Sequence, residues 1–123
     1  MKPLVVKKVN DNEWEVYEEL EYHVGSKDSE EVIIVPKGTL TDFASIPKIL
    51  WNILPPHTEV APISVIHDYI YSLRGKLPDK TYTREEGDKI FLEGMQVLGV
   101  PLWKRYTMFY AVRTAGFIYW NKK

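Results

Sequence analysis

The stretch Pro62-Ile63-Ser64-Val65-Ile66-His67-Asp68-Tyr69-Ile70-Tyr71-Ser72-Leu73 decides the fold, because its apolar residues recur at the spacing of an α-helix. The helical period begins after Pro62, and Gly75 is predicted to end the helix. Residues spaced by three or four share one face of a helix, and here they are Ile63, Ile66, Ile70 and Leu73. We expect this face to cover the core.

A histidine and an aspartate follow one another inside this helix. At roughly 100° per residue, His67 falls about 40° from Ile63, at the border of the apolar face. Tyr71 lies on the same side, and Asp68 points about 100° further round, toward a rim. His67 is therefore expected to be partly buried, either as a core residue with satisfied hydrogen bonds or as a catalyst.

A second helix is predicted to open at Thr83, where Thr83 and Glu86 have the spacing of a capping box. Gly99 and Pro101 are expected to end it. Its apolar positions are Ile90, Phe91, Met95 and Leu98. A third helix is predicted over residues 102–119.

Asp88 lies on the same side of the second helix as Phe91 and Met95. An ionised carboxylate among apolar side chains is costly unless it is paired. The short loop over residues 75–82 predicts an antiparallel helix pair, in which Gly87 and Gly94 allow close approach. We therefore expect Asp88 to accept a hydrogen bond from His67. Such a pair is either a catalytic dyad or a structural tie between two helices.

The N-terminal part has a different period. Residues 13–24 alternate between apolar and mostly acidic side chains, which predicts one half-buried strand. Residues 32–35 predict a second, buried strand, and residues 4–6 a third. The chain is thus predicted to be one α+β domain over residues 1–123. It combines a small antiparallel sheet (1–37), a proline-rich crossing segment (38–62) with a helical turn near 47–51, and a helical part (63–120).

Composition excludes several classes of protein. The chain has 123 residues, 45% of them hydrophobic and 27% charged, which is typical of a globular domain. It contains no cysteine, so disulfide scaffolds, thiolate zinc sites and cysteine nucleophiles are excluded. No apolar run approaches the ~20 residues of a membrane-spanning helix, and no signal peptide is expected.

The net charge of −1 conceals a basic C-terminal segment. Residues 101–123 carry five Lys or Arg and no Asp or Glu, together with seven of the sixteen aromatic residues. Arg105, Arg113 and Tyr110 are therefore candidates for binding a small anionic ligand, since cations attract phosphate and rings stack on bases. The alternative is an amphipathic helix with a solvated basic face. Nucleic acid is not expected as a partner, and the oligomeric state stays open.

The motif His-Asp-x-x-Tyr with a distant Asp resembles the catalytic helix pair of phospholipases A2. The matching positions are His67, Asp68, Tyr71 and Asp88. This resemblance implies that His67 activates water, that Asp68 binds Ca²⁺, and that Tyr71 and Asp88 hydrogen-bond around the histidine of a lipid hydrolase. A proline-rich segment stands where that family has its glycine-rich calcium loop.

A second resemblance covers more of the chain. Residues 41–47, 66–71, 88–91 and 110–113, with Gly116, are similar to successive signatures of the family of unknown function numbered 1353, which occurs in phages and prophages. It implies a phage-encoded protein in the host cytoplasm or the virion. Asp42 is expected either to accept backbone hydrogen bonds in a local turn or to act as a weak metal ligand at the site of His67 and Asp68.

Three functions follow as hypotheses. The first is a metal-assisted hydrolase with His67 as base, Asp88 as orienting group, Tyr71 as support and Asp68 as metal ligand. The second is a non-catalytic protein that binds or sequesters a small anionic host molecule, such as a nucleotide signal. The third is a structural or assembly component of the virion.

Overall fold

A computed structural model describes residues 4–10, 13–43 and 60–121 of the chain. It has the predicted α+β architecture, with short antiparallel strands followed by helices. The elements are β1 (Val6–Asn10), β2 (Glu13–Val16), β3 (Leu20–His23), β4 (Val32–Val35), β5 (Leu40–Thr41), α1 (Ala61–Ser72), α2 (Arg84–Val97), α3 (Leu102–Ala115) and α4 (Phe117–Trp120). The helical turn predicted near 47–51 lies outside the described residues.

The strands form two sheets, and this corrects the sequence prediction. The single strand predicted over residues 13–24 is divided between β2, which pairs with β1 and β5, and β3, which pairs with β4. Val16 and Leu20 are both buried and lie an even number of residues apart, so the alternation continues across the break. Alternation identifies the buried side of a strand, but it does not identify the strand's partner. The strand predicted at residues 4–6 is also shifted, because β1 begins at Val6.

The helices begin where predicted, and Gly75 and Gly99, both with positive φ, follow the ends of α1 and α2 as predicted. The capping box of α2 is present, since the Thr83 hydroxyl accepts from the Glu86 N–H at 3.1 Å and Glu86 accepts from the Thr83 N–H at 2.9 Å. α1 ends at Ser72, and the chain reverses through Arg74 and Gly75, both with positive φ. Leu73, predicted in the buried stripe, is exposed.

The helix predicted over residues 102–119 is two helices, α3 and α4, separated at Gly116. A Cβ atom at Gly116 would lie 2.6 Å from the hydroxyl oxygen of Tyr71. The break therefore lies where the chain passes directly over the Tyr71 side chain of α1.

Two glycines bring α1 and α2 together in antiparallel orientation. A Cβ atom at Gly87 would lie 3.1 Å from Ile70, and one at Gly94 would overlap with the side chain of Ile63. Residues later in α2 therefore contact residues earlier in α1, as in an antiparallel pair. The core includes the facing sides of these helices, Val16, Leu20 and Ile33 from the strands, and Met108 and Val112 from α3. Among the described residues, no helix is long and apolar enough to cross a membrane.

Candidate active site

The predicted bond between α1 and α2 is confirmed. Nε2 of His67 lies 2.7 Å from Oδ1 of Asp88, and the exposed fraction of both side chains is 0%. The helical wheel predicted that His67 lies at a partly exposed border, but its side chain is fully buried. Its ring stacks on Phe91 at 4.7 Å, so α2 covers the side that α1 by itself would leave open.

Asp88 is an ionised carboxylate, although it is buried. Burial raises its pKa, but hydrogen bonds from His67, Tyr71 and Arg113 outweigh this effect and hold the pKa below its ordinary value. A carboxylate can only accept hydrogen bonds, so Nε2 of His67 is the nitrogen that donates. In the neutral ring, Nδ1 is then the basic nitrogen.

Tyr71 shares the same carboxylate oxygen. Its hydroxyl donates to Oδ1 of Asp88 at 2.6 Å, and its ring lies 4.4 Å from the His67 ring. Burial, followed by the hydrogen bond to the negative charge of Asp88, raises the pKa of Tyr71. Tyr71 is therefore a neutral donor at physiological pH.

Two arginines complete the surroundings of Asp88. Nη1 of Arg113, from α3, donates to Oδ2 at 2.7 Å, and Nη1 of Arg84 lies 3.6 Å from the same oxygen. Arg84 also donates to the backbone carbonyls of Val112 and Arg113 at 3.0 and 3.1 Å. We define the buried network as these five side chains: His67, Tyr71, Arg84, Asp88 and Arg113.

The sequence analysis did not identify Arg84, which the structure places beside Asp88. The available signal was the spacing, since residue i−4 of a helix faces residue i. Nothing comparable identified Arg113 as a partner of Asp88, because the packing of α3 decides that contact. Arg113 was instead assigned to a ligand-binding surface.

The second predicted acid lies in a separate polar group. Asp68, expected at a rim, has only 2% of its surface exposed, and its Oδ2 accepts from the Thr41 hydroxyl at 2.7 Å. Burial raises the pKa of Tyr119, and the charges of Asp68 and Asp42 raise it further. Within the described ranges, no three His, Asp or Glu side chains are placed to share a metal ion. The calcium site at Asp68 and Asp42 stays a prediction.

The remaining candidates lie elsewhere on α3. Nη1 of Arg105 donates to the Val100 carbonyl at 3.3 Å, and Tyr110 is exposed beside the rings of Tyr106 and Phe109. The structure does not bring either residue to His67.

Comparisons with known proteins place the chain among uncharacterised relatives. A family model described as "Protein of unknown function (DUF1353)" matches residues 14–112, a range that stops one residue before Arg113. The uncharacterized protein y4jT of Sinorhizobium fredii (strain NBRC 101917 / NGR234) is 39% identical over 84 residues. That alignment covers 67% of this chain and 23% of the relative, so the chain spans less than a quarter of the relative's length. No solved structure matches. These matches do not support the phospholipase A2 resemblance.

Proposed function

We propose that this chain, which belongs to the DUF1353 family, is a hydrolase in which His67 activates water and Asp88 orients His67. The observation that carries the proposal is the 2.7 Å bond between Nε2 of His67 and Oδ1 of Asp88. A carboxylate that fixes the tautomer of a histidine leaves the opposite nitrogen as a general base.

The proposed step is hydrolysis of a carboxylic ester. Nδ1 of His67 accepts a proton from a water molecule while the water oxygen bonds to the carbonyl carbon. The carbon–oxygen bond to the alcohol then breaks, and the alcohol leaves with the proton from His67. Tyr71 and Arg113 are positioning residues, because they hold the Asp88 carboxylate and not the reacting atoms.

A structural role for the same network is the second candidate. It is favoured by the presence of two guanidinium groups on Asp88, whose carboxylate is fully buried. Through Arg84 and Arg113 the network joins α1, α2 and α3. Such a structural clamp holds the helices together and needs no substrate. In that case the network contributes stability alone.

Binding of a small anion on α3 has less support. Arg113 donates to Asp88, and Arg105 donates to a backbone carbonyl, so both guanidinium groups have partners within the chain. Encoding by a phage, and action in the host cytoplasm or the virion, stay predictions from the family resemblance.

Kinetic comparison of variants tests the proposal, with p-nitrophenyl butyrate as the probe ester. We expect Asp88→Asn and His67→Asn to lower turnover by roughly two to four orders of magnitude in protein that is still folded by circular dichroism. Ser64→Ala is the matched control, because Ser64 is equally buried one turn away in α1 and its hydroxyl has no hydrogen-bond partner among the described residues.

A second measurement does not depend on the substrate. Long-range ¹⁵N–¹H NMR spectra of the His67 ring identify which nitrogen carries the proton. We expect Nε2–H in the wild type at pH 7. A proton on Nδ1 would contradict the proposal of a hydrolase. The same holds if folded Asp88→Asn keeps the turnover of the wild type, and the structural role of the network would then be favoured.

A further inference from the structure

Arg84 is the member of the buried network to which the proposed mechanism gives no role. It is the first residue of α2, and 20% of its side chain is exposed. Its Nη1 lies 3.4 Å from the hydroxyl oxygen of Tyr71 and 3.6 Å from Oδ2 of Asp88. Both distances exceed the roughly 2.7–3.2 Å of a good hydrogen bond between nitrogen and oxygen. Arg84 therefore contributes charge beside Asp88, but it does not itself hold the carboxylate in place.

The short hydrogen bonds of Arg84 are made to the last turn of α3. Nη1 donates to the carbonyl of Val112 at 3.0 Å, and Nη2 donates to the carbonyl of Arg113 at 3.1 Å. The planar guanidinium group presents these donors in a fixed geometry, so it holds two successive peptide groups at once. A cation is also favoured at this end of a helix, because the last carbonyl groups carry partial negative charge.

This contact lies where the apolar anchors of α3 stop. The buried side chains of α3 are Met108 and Val112, and Arg113 is the next residue in the chain. α3 ends at Ala115, before the break at Gly116. Arg84 thus holds the backbone of Arg113 at the point where the core contacts of α3 end.

The side chain of Arg113 connects the end of α3 to Asp88 and His67. Its Nη1 donates to Oδ2 of Asp88 at 2.7 Å, and Oδ1 of Asp88 accepts from Nε2 of His67 at 2.7 Å. A continuous series of hydrogen bonds therefore runs from Arg84 to His67. We propose that Arg84 is a positioning residue, which orients the pair of His67 and Asp88 by holding the end of α3. The kinetic consequence rests on the proposed hydrolase, whereas the orientation of His67 does not.

A double-variant cycle distinguishes this relation from two independent contacts. We expect Arg84→Gln and Arg113→Gln each to lower the turnover number for p-nitrophenyl butyrate by about 10- to 100-fold, because the base is misplaced. The KM should change less than ~3-fold, since neither residue is placed at the reacting atoms. Because Arg84 acts through Arg113, the double variant should lose no more turnover than the more impaired single variant.

The tautomer of His67 provides a measurement that needs no substrate. Long-range ¹⁵N–¹H NMR spectra at pH 7 give the ratio of the Nε2–H form to the Nδ1–H form. We expect Arg84→Gln to lower this ratio at least ~3-fold, and the double variant to lower it no further than the single variants. A contribution to stability alone would leave the ratio unchanged in protein that is folded by circular dichroism. Arg84→Lys keeps the charge but lacks the planar fork, so it should show the same change and replaces Arg84→Gln if that variant does not fold.

Lys89→Gln is the matched control. Lys89 also belongs to α2, its side chain is 67% exposed, and it lies 3.8 Å from Glu85, outside the network. It should leave the turnover number and the tautomer ratio unchanged. The proposal is overturned by a wild-type ratio in folded Arg84→Gln, by effects that multiply in the double variant, or by an equal effect of Lys89→Gln. A wild type without esterase activity, whose tautomer ratio responds as expected, would refute the hydrolase and support the role of Arg84.

Discussion

At the scale of single residues, Asp88 organises the site. Its two oxygens divide the partners: Oδ1 accepts from His67 and Tyr71, and Oδ2 faces Arg84 and Arg113. A buried carboxylate is tolerated when several hydrogen bonds and opposite charges replace its hydration. This arrangement makes the protonation of Asp88 a measurable contribution to stability.

We expect Asp88→Asn to lower the free energy of unfolding at pH 7 by about 1–3 kcal/mol, because one acceptor oxygen of the buried network becomes an NH2 donor and the negative charge is lost. The pKa of Asp88 is lowered in the folded state, so its contribution is present above the unfolded pKa of about 3.9 and is lost as the pH falls through the folded pKa. Urea unfolding at pH 7 and near pH 3 measures the difference between wild type and variant. A difference that grows at the lower pH would contradict this sign.

Ser64 provides the opposite case within the same helix. Its hydroxyl is fully buried and has no hydrogen-bond partner within the part of the chain that the structure describes, which costs free energy in the folded state. We expect Ser64→Ala to leave stability unchanged or to raise it by up to about 1 kcal/mol, since alanine is also the better helix former. A loss of more than ~1 kcal/mol in thermal unfolding would show that the hydroxyl has a partner in solution.

At the scale of elements, the distance between α1 and α2 determines whether His67 reaches Asp88. Gly94 and Gly87 set this distance, and they differ in the space around them. At Gly94 a methyl group would overlap with Ile63, whereas at Gly87 it would lie 3.1 Å from the end of the Ile70 side chain. The two sites therefore form a matched pair of substitutions in one helix.

We expect Gly94→Ala to destabilise the protein by about 1–3 kcal/mol through overpacking, although alanine favours the helix. Gly87→Ala should be close to neutral, because its gain in helix propensity of ~0.5–1 kcal/mol offsets a small shift of Ile70. Chemical denaturation of both variants measures the difference. Equal effects of the two substitutions would mean that Gly94 does not set the helix separation.

At the scale of the whole molecule, tyrosine–carboxylate bonds join the strand-rich part of the chain to the helical part. The Tyr22 hydroxyl of β3 donates to Glu93 of α2, and the Tyr82 hydroxyl donates to Glu31, next to β4, at 2.8 Å. Burial, followed by the adjacent carboxylate, raises the pKa of both phenols. Tyr71 behaves in the same way within the helical part.

Alkaline pH should therefore unfold the protein cooperatively. A phenol whose pKa is raised in the folded state contributes its full stabilisation at pH values below its unfolded pKa of about 10. This contribution is lost as the pH rises through the folded pKa. Each phenol that stays protonated only in the folded state lowers the free energy of unfolding by about 1.4 kcal/mol per pH unit. Phenolate absorbance and circular dichroism should change together above pH 10. Ionisation of Tyr22, Tyr71 and Tyr82 without unfolding would contradict this expectation.

The sequence by itself determined the features that depend on near neighbours. The capping box at Thr83, the amphipathic face of α1 and the antiparallel pairing with α2 follow from spacing and loop length. The bond between His67 and Asp88 was predictable for the same reason, because a carboxylate on an apolar helix face requires a partner on the facing helix.

Only the tertiary structure decided which distant surfaces meet. Strand pairing decides which sheet β2 and β3 belong to, and the alternation of apolar and polar residues is the same whichever strand is the partner. Arg113 reaches Asp88 because α3 packs across α2, and Asp68 is buried because Thr41 of β5 lies over α1. Sequence periodicity shows which side of a helix or strand is apolar. The burial of a polar side chain depends instead on which residues of a second element pack against it.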